Sequence, residues 1–289
     1  MRQTENQGDR QRKYNALIIG AGGQGALADA PGSGNENKII SFGHAFKEHL
    51  GFKRVLLYDK DFKKAEKAAN IWGCQWIKLK QFDPCILRSE LIDIVVITTP
   101  DSTHYEILKQ LVDVKHYKLR LVICEKPICT DLQQAREIVE LYKAKGIPLM
   151  VNYTRRFLPY YEDLKRRYEA GEFGELIHYE ALFNRGLLHT GSHLVDFLTW
   201  FFDYDLPDGL EIIGIQADYR IWQIDLFFEK YHWREERIGD MLVWDYYDKS
   251  HWYVVDNAYQ FLEGKEELKC TGSDALNLLE ICFELMEGK

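Results

Sequence analysis

Apolar positions in the first half of the chain come in short unbroken blocks. Ala16–Ile19, Arg54–Tyr58, Asp93–Thr98, Arg120–Cys124 and Pro148–Val151 read as strands covered on both faces, as in a parallel sheet. Cys74–Ile77 reads as a shorter one. Helix-period segments lie between them. One covers Phe62–Ile71, one opens at Asp83-Pro84, and one runs from His104 to about Val114. A fourth, capped by Thr130 or Asp131, runs to about Ala144 and is stopped by Gly146. Strand and helix alternate in this way over about 135 residues. The pattern predicts an α/β fold: a doubly wound parallel sheet with a ligand crevice at its carboxyl strand ends.

The texture changes after Asn152. Phe157–Ala170 reads as a helix and Glu175–Phe183 as a strand. Gly191–Phe202 is an amphipathic helix with Leu194, Phe197, Leu198 and Phe201 on one face. Strand-like stretches follow at Glu211–Asp218, Ile221–Phe228, Met241–Tyr247 and Trp252–Val255, and Ser273 caps a last helix to about Met286. This predicts an α+β second domain on an open, largely antiparallel sheet. The expected division is a frayed polar tail at 1–14, a Rossmann domain at 15–152 and a substrate-binding and oligomerisation domain at 153–289. No internal repeat is visible.

Composition narrows the function classes. The 289 residues are 46% hydrophobic and 28% charged, enough for two domains with a substantial core. A net charge of −8 without a long basic run argues against nucleic acid as a partner. No apolar stretch has the roughly 18–20 residues of a membrane span, and none near the start resembles a signal peptide, so the expected location is the cytoplasm. The six cysteines form no C-x-x-C pair, so neither a zinc ribbon nor a thioredoxin-type site is indicated, and reduced thiols are expected. The chain has seven Trp and 17 Tyr, most of them in the second half, as sheet packing or a ligand or subunit surface would require.

The candidate chemistry begins where the first apolar run ends, in Gly20-x-Gly22-x-x-Gly25. Gly20 allows a tight turn, Gly22 lets backbone approach a pyrophosphate, and Gly25 lets the next segment pack close to the sheet. Phosphate then rests on backbone N–H groups and a helix dipole. Asp59, closing the second strand, can accept hydrogen bonds from ribose hydroxyls and repel a 2′-phosphate, which favours NAD over NADP; Lys60, Lys63 and Lys64 lie nearby. An oddity follows the glycines. Ala30-Pro-Gly-Ser-Gly-Asn-Glu-Asn is rich in breakers, and helical character returns only near Ile40–Leu50. Residues 26–40 therefore form either a flap over the phosphate site or a surface insertion.

Five motifs occur in one order: the glycine turn, Thr98-Thr99-Pro100-Asp-Ser-Thr-His104, Glu125-Lys126-Pro127, Asn152-Tyr-Thr-Arg-Arg156-Phe-x-Pro159, and His189-x-Gly191-x-His193-x-x-Asp196. This series resembles the Gfo/Idh/MocA oxidoreductases, over residues 15 to 203 and more loosely to the end. The resemblance implies tightly held NAD, a sugar, cyclitol or nucleotide-sugar substrate, and a homo-oligomer, dimer or tetramer, formed through the outer face of the second sheet. It places Gly20, Gly22, Gly23, Gln24, Gly25, Asp59, Thr98, Thr99, Pro100, His104, Glu125, Lys126 and Pro127 at the cofactor. Lys126 matches the family lysine that holds a substrate hydroxyl and shuttles its proton, and His193 matches the catalytic histidine. An imidazole titrates near neutrality and can take an alcohol's proton as hydride leaves carbon.

Two departures stand out. His189 occupies a position where family members commonly carry Asp, and it is a candidate both for catalysis and for substrate binding. His189 and His193 could also be read as a metal pair, but no H-E-x-x-H pattern or third ligand supports zinc. The chain is also shorter than usual, and the region around Asp218–Asp225 reads as shortened, as if strands of the open sheet were missing. Arg155, Arg156 and Arg185 are candidate substrate contacts, since guanidinium forks suit phosphate or carboxylate; ion pairs with the acidic surface explain them equally well. Asp196 could brace His193 or be a satisfied charge.

The expected function is an NAD(H)-dependent dehydrogenase of carbohydrate metabolism, transferring hydride between nicotinamide and a secondary alcohol. The alternative is an inactive dinucleotide-binding regulatory or scaffold protein of the same fold.

Overall fold

The computed structural model describes residues 13–114, 116–204, 212–214, 221–238 and 247–287. Its first sheet has six parallel strands: β1 (Tyr14–Ile19), β2 (Phe52–Tyr58), β3 (Gln75–Trp76), β4 (Ile94–Ile97), β5 (Leu121–Glu125) and β6 (Leu149–Asn152), in the order β3-β2-β1-β4-β5-β6. The helices α1 (Phe42–Glu48), α2 (Phe62–Trp72), α3 (Cys85–Ser89), α4 (His104–Leu111) and α5 (Leu132–Lys145) connect them. This is the doubly wound order, and the chain reverses direction across the sheet between β1 and β4. All four residues of β4 are buried, which is why its sequence shows no alternation. Asp131 caps α5 through its side chain, and Gly146 ends it in the left-handed region that glycine tolerates best.

The second layer holds α6 (Pro159–Glu169), β7 (Leu176–Phe183), α7 (Ser192–Phe201), β8 (Ile212–Gly214), β9 (Ile221–Phe228) and β10 (His232–Ile238). The sheet runs β10-β9-β7-β8; β7 pairs antiparallel with β9 and parallel with β8. The predicted face of α7 is buried against Tyr161, Phe173, Ile224, Leu226 and Trp233 in a core of its own.

The C-terminal segment departs from expectation. Trp252–Val255, read as a strand from its β-branched and aromatic residues, lies inside α8 (Ser250–Leu262). His251, Val254, Val255, Ala258 and Tyr259 are buried at helical spacing, so tertiary packing overrides local β-propensity. α8 packs on α1, and α9 (Gly272–Met286) packs on α5. Val254, Val255, Ala258, Leu278, Leu279 and Cys282 thus belong to the same core as the first sheet. The last helix is capped by Thr271 rather than Ser273, with Asp274 completing the capping box. Of the strand expected at Glu211–Asp218, Ile212–Gly214 is seen as β8. The remainder, and residues 241–246 of the strand expected at Met241–Tyr247, lie outside the described residues.

The inserted loop is anchored, not poised over the crevice. After one π-helical turn at Gly23–Leu27, the buried Asp29 carboxylate accepts hydrogen bonds from the Ile40 and Ser41 amides and the Ser41 hydroxyl. Further along, Lys38 pairs with Asp248, and the Ile39 carbonyl accepts from the His251 amide. The loop therefore docks on the start of α8.

Candidate active site

The carboxyl ends of β1, β2, β4 and β5 open onto one cavity of about 1080 Å³, closed on the far side by the turn before α7. Its floor is built by glycine geometry. Gly20 has φ +104°, and a Cβ there would stand 2.9 Å from the Thr98 carbonyl carbon. A Cβ on Gly25 would approach the Gly20 oxygen to 1.9 Å, which backbone cannot accommodate without moving. Thr98 Oγ1 donates to that same Gly20 carbonyl at 2.6 Å and locks the turn against β4. Gly22 and Gly23, by contrast, line the cavity with nothing within 4 Å of where a Cβ would stand, leaving backbone open to a ligand.

Asp59 closes the same end of the cavity. Its Oδ2 accepts from the Ala21 amide at 2.8 Å, and its Oδ1 accepts from the Asp61 amide at 2.8 Å. Both oxygens keep lone pairs for further donors. Tyr58, Phe82, Lys60 and Lys64 complete this end. The residues therefore fit a dinucleotide: open backbone N–H groups for a pyrophosphate, with a carboxylate beyond them for a ribose.

Thr98, Thr99, Pro100 and His104 form the middle wall. The His104 ring bridges the Pro127 carbonyl at 2.8 Å and the Thr99 carbonyl at 2.9 Å, so it braces two loops against each other. Pro127 and Gly25 support this wall from behind without lining the cavity.

At the other end Glu125, Lys126, His189, Thr190 and His193 converge. Lys126 Nζ donates to the His189 backbone carbonyl at 2.7 Å, joining the end of β5 to the turn before α7. Ser192 Oγ donates to the same turn, and the half-buried His193 ring packs edge-on to Tyr153 at 6.2 Å. Burial pushes the Glu125 carboxyl up, but His251, Asn152 and Lys126 outweigh it and hold the group below the ordinary glutamate range. Among the described residues, no three His, Cys, Asp or Glu side chains are grouped to hold a metal ion. No described helix is long and apolar enough to cross a membrane.

Three sequence candidates for substrate contact, Arg155, Arg156 and Arg185, do not line the cavity. Arg156 is 3% exposed; its Nε donates to Asp196 Oδ1 at 2.9 Å and its guanidinium reaches the Tyr204 hydroxyl at 3.2 Å. Arg155 is 5% exposed and lies 3.6 Å from Glu235, over the rings of Tyr161 and Tyr247. Both guanidiniums satisfy buried carboxylates in the second layer, because a buried charge without a partner is costly. Asp196 thereby serves Arg156. Arg185 is exposed, with φ +66°, and does not line the cavity. Two contributors were not assigned from sequence. Asn152 Nδ2 donates to Glu125 Oε1 at 2.7 Å, and His251 stands 3.8 Å from the same oxygen. Asn152 lay within a quoted motif; His251 carried no signal, since its segment read as a strand.

Comparison with known proteins places this arrangement. Residues 14–153 match a family described as "Oxidoreductase family, NAD-binding Rossmann fold". The chain is 31% identical over 194 residues to scyllo-inositol 2-dehydrogenase (NAD(+)) of Bacillus subtilis, covering 63% of this chain and 53% of that one. It is 35% identical over 128 residues to an inositol 2-dehydrogenase of Mycolicibacterium smegmatis, covering 43% and 35%. The matched part thus spans about half the length of these relatives or less. The structure of a myo-inositol dehydrogenase from Corynebacterium glutamicum superimposes with a TM-score of 0.69 at 15% identity, covering 95% of this chain and 96% of that one. An oxidoreductase from Agrobacterium radiobacter, solved with NAD+, L-tartaric acid and magnesium, gives 0.70 at 17% identity, covering 95% of each chain. At such identities these two structures share the fold.

Proposed function

We propose, from the premise that this chain belongs through residues 14–153 to the Gfo/Idh/MocA oxidoreductases, that it is an NAD(H)-dependent dehydrogenase acting on a secondary alcohol of a cyclitol or free sugar. One observation carries the reading. The glycine turn and Asp59 line the same cavity as Lys126, His189 and His193, so a dinucleotide site and a proton-transfer site are continuous.

Gly22, Gly23 and Gln24 would hold the pyrophosphate through backbone, and Asp59 the adenosine ribose. NAD bound there supplies the hydride chemistry. The remaining work falls to side chains. The Lys126 ammonium, tethered to the His189 carbonyl, is a multiple N–H donor and so suits a substrate hydroxyl. His193 Nδ1 or Nε2 takes the proton of that hydroxyl as the carbon is oxidised, and returns it in the reverse direction. His189 contributes its ring and its carbonyl to the same wall. Thr99, Pro100 and His104 hold the wall rigid between the two ends.

Two features favour a neutral polyol over a nucleotide sugar. No arginine lines the cavity among the described residues, and Arg155 and Arg156 are engaged with buried carboxylates. The relatives named above include inositol dehydrogenases. Turnover of NAD+ with a panel of cyclitols, free sugars and nucleotide sugars tests the reading.

A further inference from the structure

We propose that His251 is a positioning residue for this site, holding the Glu125 carboxylate in place beside Lys126, and that the 28–41 insertion docks it there. The inference rests on the proposed function for its link to turnover, but its geometry is independent of it.

Glu125 ends β5 and has its carboxylate half-buried in the cavity wall, with the side chain 16% exposed. Three elements face it. Asn152, ending β6, donates its amide at 2.7 Å, and its own oxygen accepts from Thr154 Oγ1 at 3.2 Å, which fixes the amide's orientation. Lys126 follows Glu125 in the chain. His251, from the first turn of α8, points Nε2 at Oε1 from 3.8 Å. That distance is beyond a hydrogen bond, so the imidazole acts electrostatically at longer range. Nε2 is itself a buried polar atom without a hydrogen-bond partner, and His251 is 5% exposed. Burying such an atom costs stability, and its placement against the half-buried Glu125 carboxylate gives it an electrostatic role.

The imidazole is held by its neighbour Ser250, whose hydroxyl lies 3.3 Å from Nδ1, and by the insertion. Its amide donates to the Ile39 carbonyl, and its ring meets Phe42 edge-on at 4.7 Å. Phe42 follows Ser41, the helix cap tied to Asp29. Residues 28–41 therefore buttress the reactive end of the cavity from below. Histidine suits the role, since its ring can present an N–H to a carboxylate. An ionised carboxylate there adds negative charge to the same stretch of cavity wall that carries Lys126, whose ammonium the His189 carbonyl holds.

The test follows the side-chain carboxyl carbon of Glu125 by NMR in protein labelled with carboxyl-13C glutamate, the signal being identified by its loss in Glu125→Gln. In His251→Phe the titration midpoint rises by about one unit or more. His251→Gln, which keeps a polar N–H donor without the ring, gives a smaller rise and carries the test if the Phe variant does not fold. Asp29→Ala, which frees the insertion, shifts the midpoint in the same direction. An unchanged midpoint in folded His251→Phe or His251→Gln would overturn the role of His251; an unchanged midpoint in Asp29→Ala would overturn that of the insertion. No substrate is needed, so failure to turn over any polyol counts against the proposed function alone.

Discussion

Lys126 Nζ lies 2.7 Å from the backbone carbonyl of His189. This single hydrogen bond links the end of the dinucleotide-side sheet to the turn that presents His193. It holds the ammonium where cofactor-side and substrate-side walls meet. Replacing Lys126 by Met removes the charge and keeps the stem. The expected result is a fall in kcat/KM of about 10²-fold or more, as for loss of a charged donor aimed at the reacting oxygen. NAD affinity, measured by calorimetry, stays within a few-fold. A similar loss in both would mean that the lysine serves cofactor binding instead.

The glycine turn separates folding from binding. At Gly25 an added methyl meets the Gly20 carbonyl oxygen, so Gly25→Ala should destabilise the protein by about 1–3 kcal/mol or more in denaturant unfolding. At Gly22 a methyl has open space, so Gly22→Ala should fold with unaltered stability and bind NAD more weakly. Equal effects of the two substitutions on stability would contradict this division.

Asp59 has two jobs, since it accepts from the Ala21 and Asp61 amides and offers its remaining lone pairs to the cavity. Asp59→Ala should weaken NAD binding by about tenfold, roughly 1.4 kcal/mol. It should also improve relative affinity for NADP, with Lys60 and Lys64 nearby. Calorimetric titration with both dinucleotides checks the pair of changes.

The Arg156–Asp196 pair predicts a pH signature. Burial pushes the Asp196 carboxyl up to about 6 against the opposing pull of Arg156. A carboxyl raised in the folded state holds its proton more firmly there than in the unfolded chain. Its contribution to stability is therefore full below about pH 4 and lost as pH rises through about 6. The stability of wild type relative to Asp196→Asn should decline across that window. Parallel curves would show that the carboxyl is not perturbed. Arg156→Leu, leaving a buried carboxylate alone, should cost about 3–5 kcal/mol.

How far the sequence could be read follows from where each signal resides. The strands Ile94–Ile97 and Leu121–Glu125 are buried on both faces, so apolar runs marked them, and Asp131 and Gly146 marked the ends of α5 by local capping chemistry. β10 escaped because its buried positions include Glu235, whose partner Arg155 comes from a distant segment. α8 escaped because Trp252, Val254 and Val255 have β-prone side chains and only packing against α1 makes them helical. Lys126, His189 and His193 were legible as motif residues, and the cavity gathers them. Arg155 and Arg156 stood within a motif too, but their carboxylate partners could not be paired with them by spacing alone. His251 meets Glu125 across more than a hundred residues, and no local pattern announces such a contact.

The most direct measurement of the proposed dehydrogenase is the rise of NADH absorbance when purified protein is mixed with NAD+ and a cyclitol such as scyllo- or myo-inositol, beside free sugars and nucleotide sugars. The account expects NADH from at least one cyclitol or free sugar, and a rate about 10²-fold lower in His193→Ala with NAD binding retained. Tight NAD binding with no NADH from any polyol, or equal rates in wild type and His193→Ala, would contradict it.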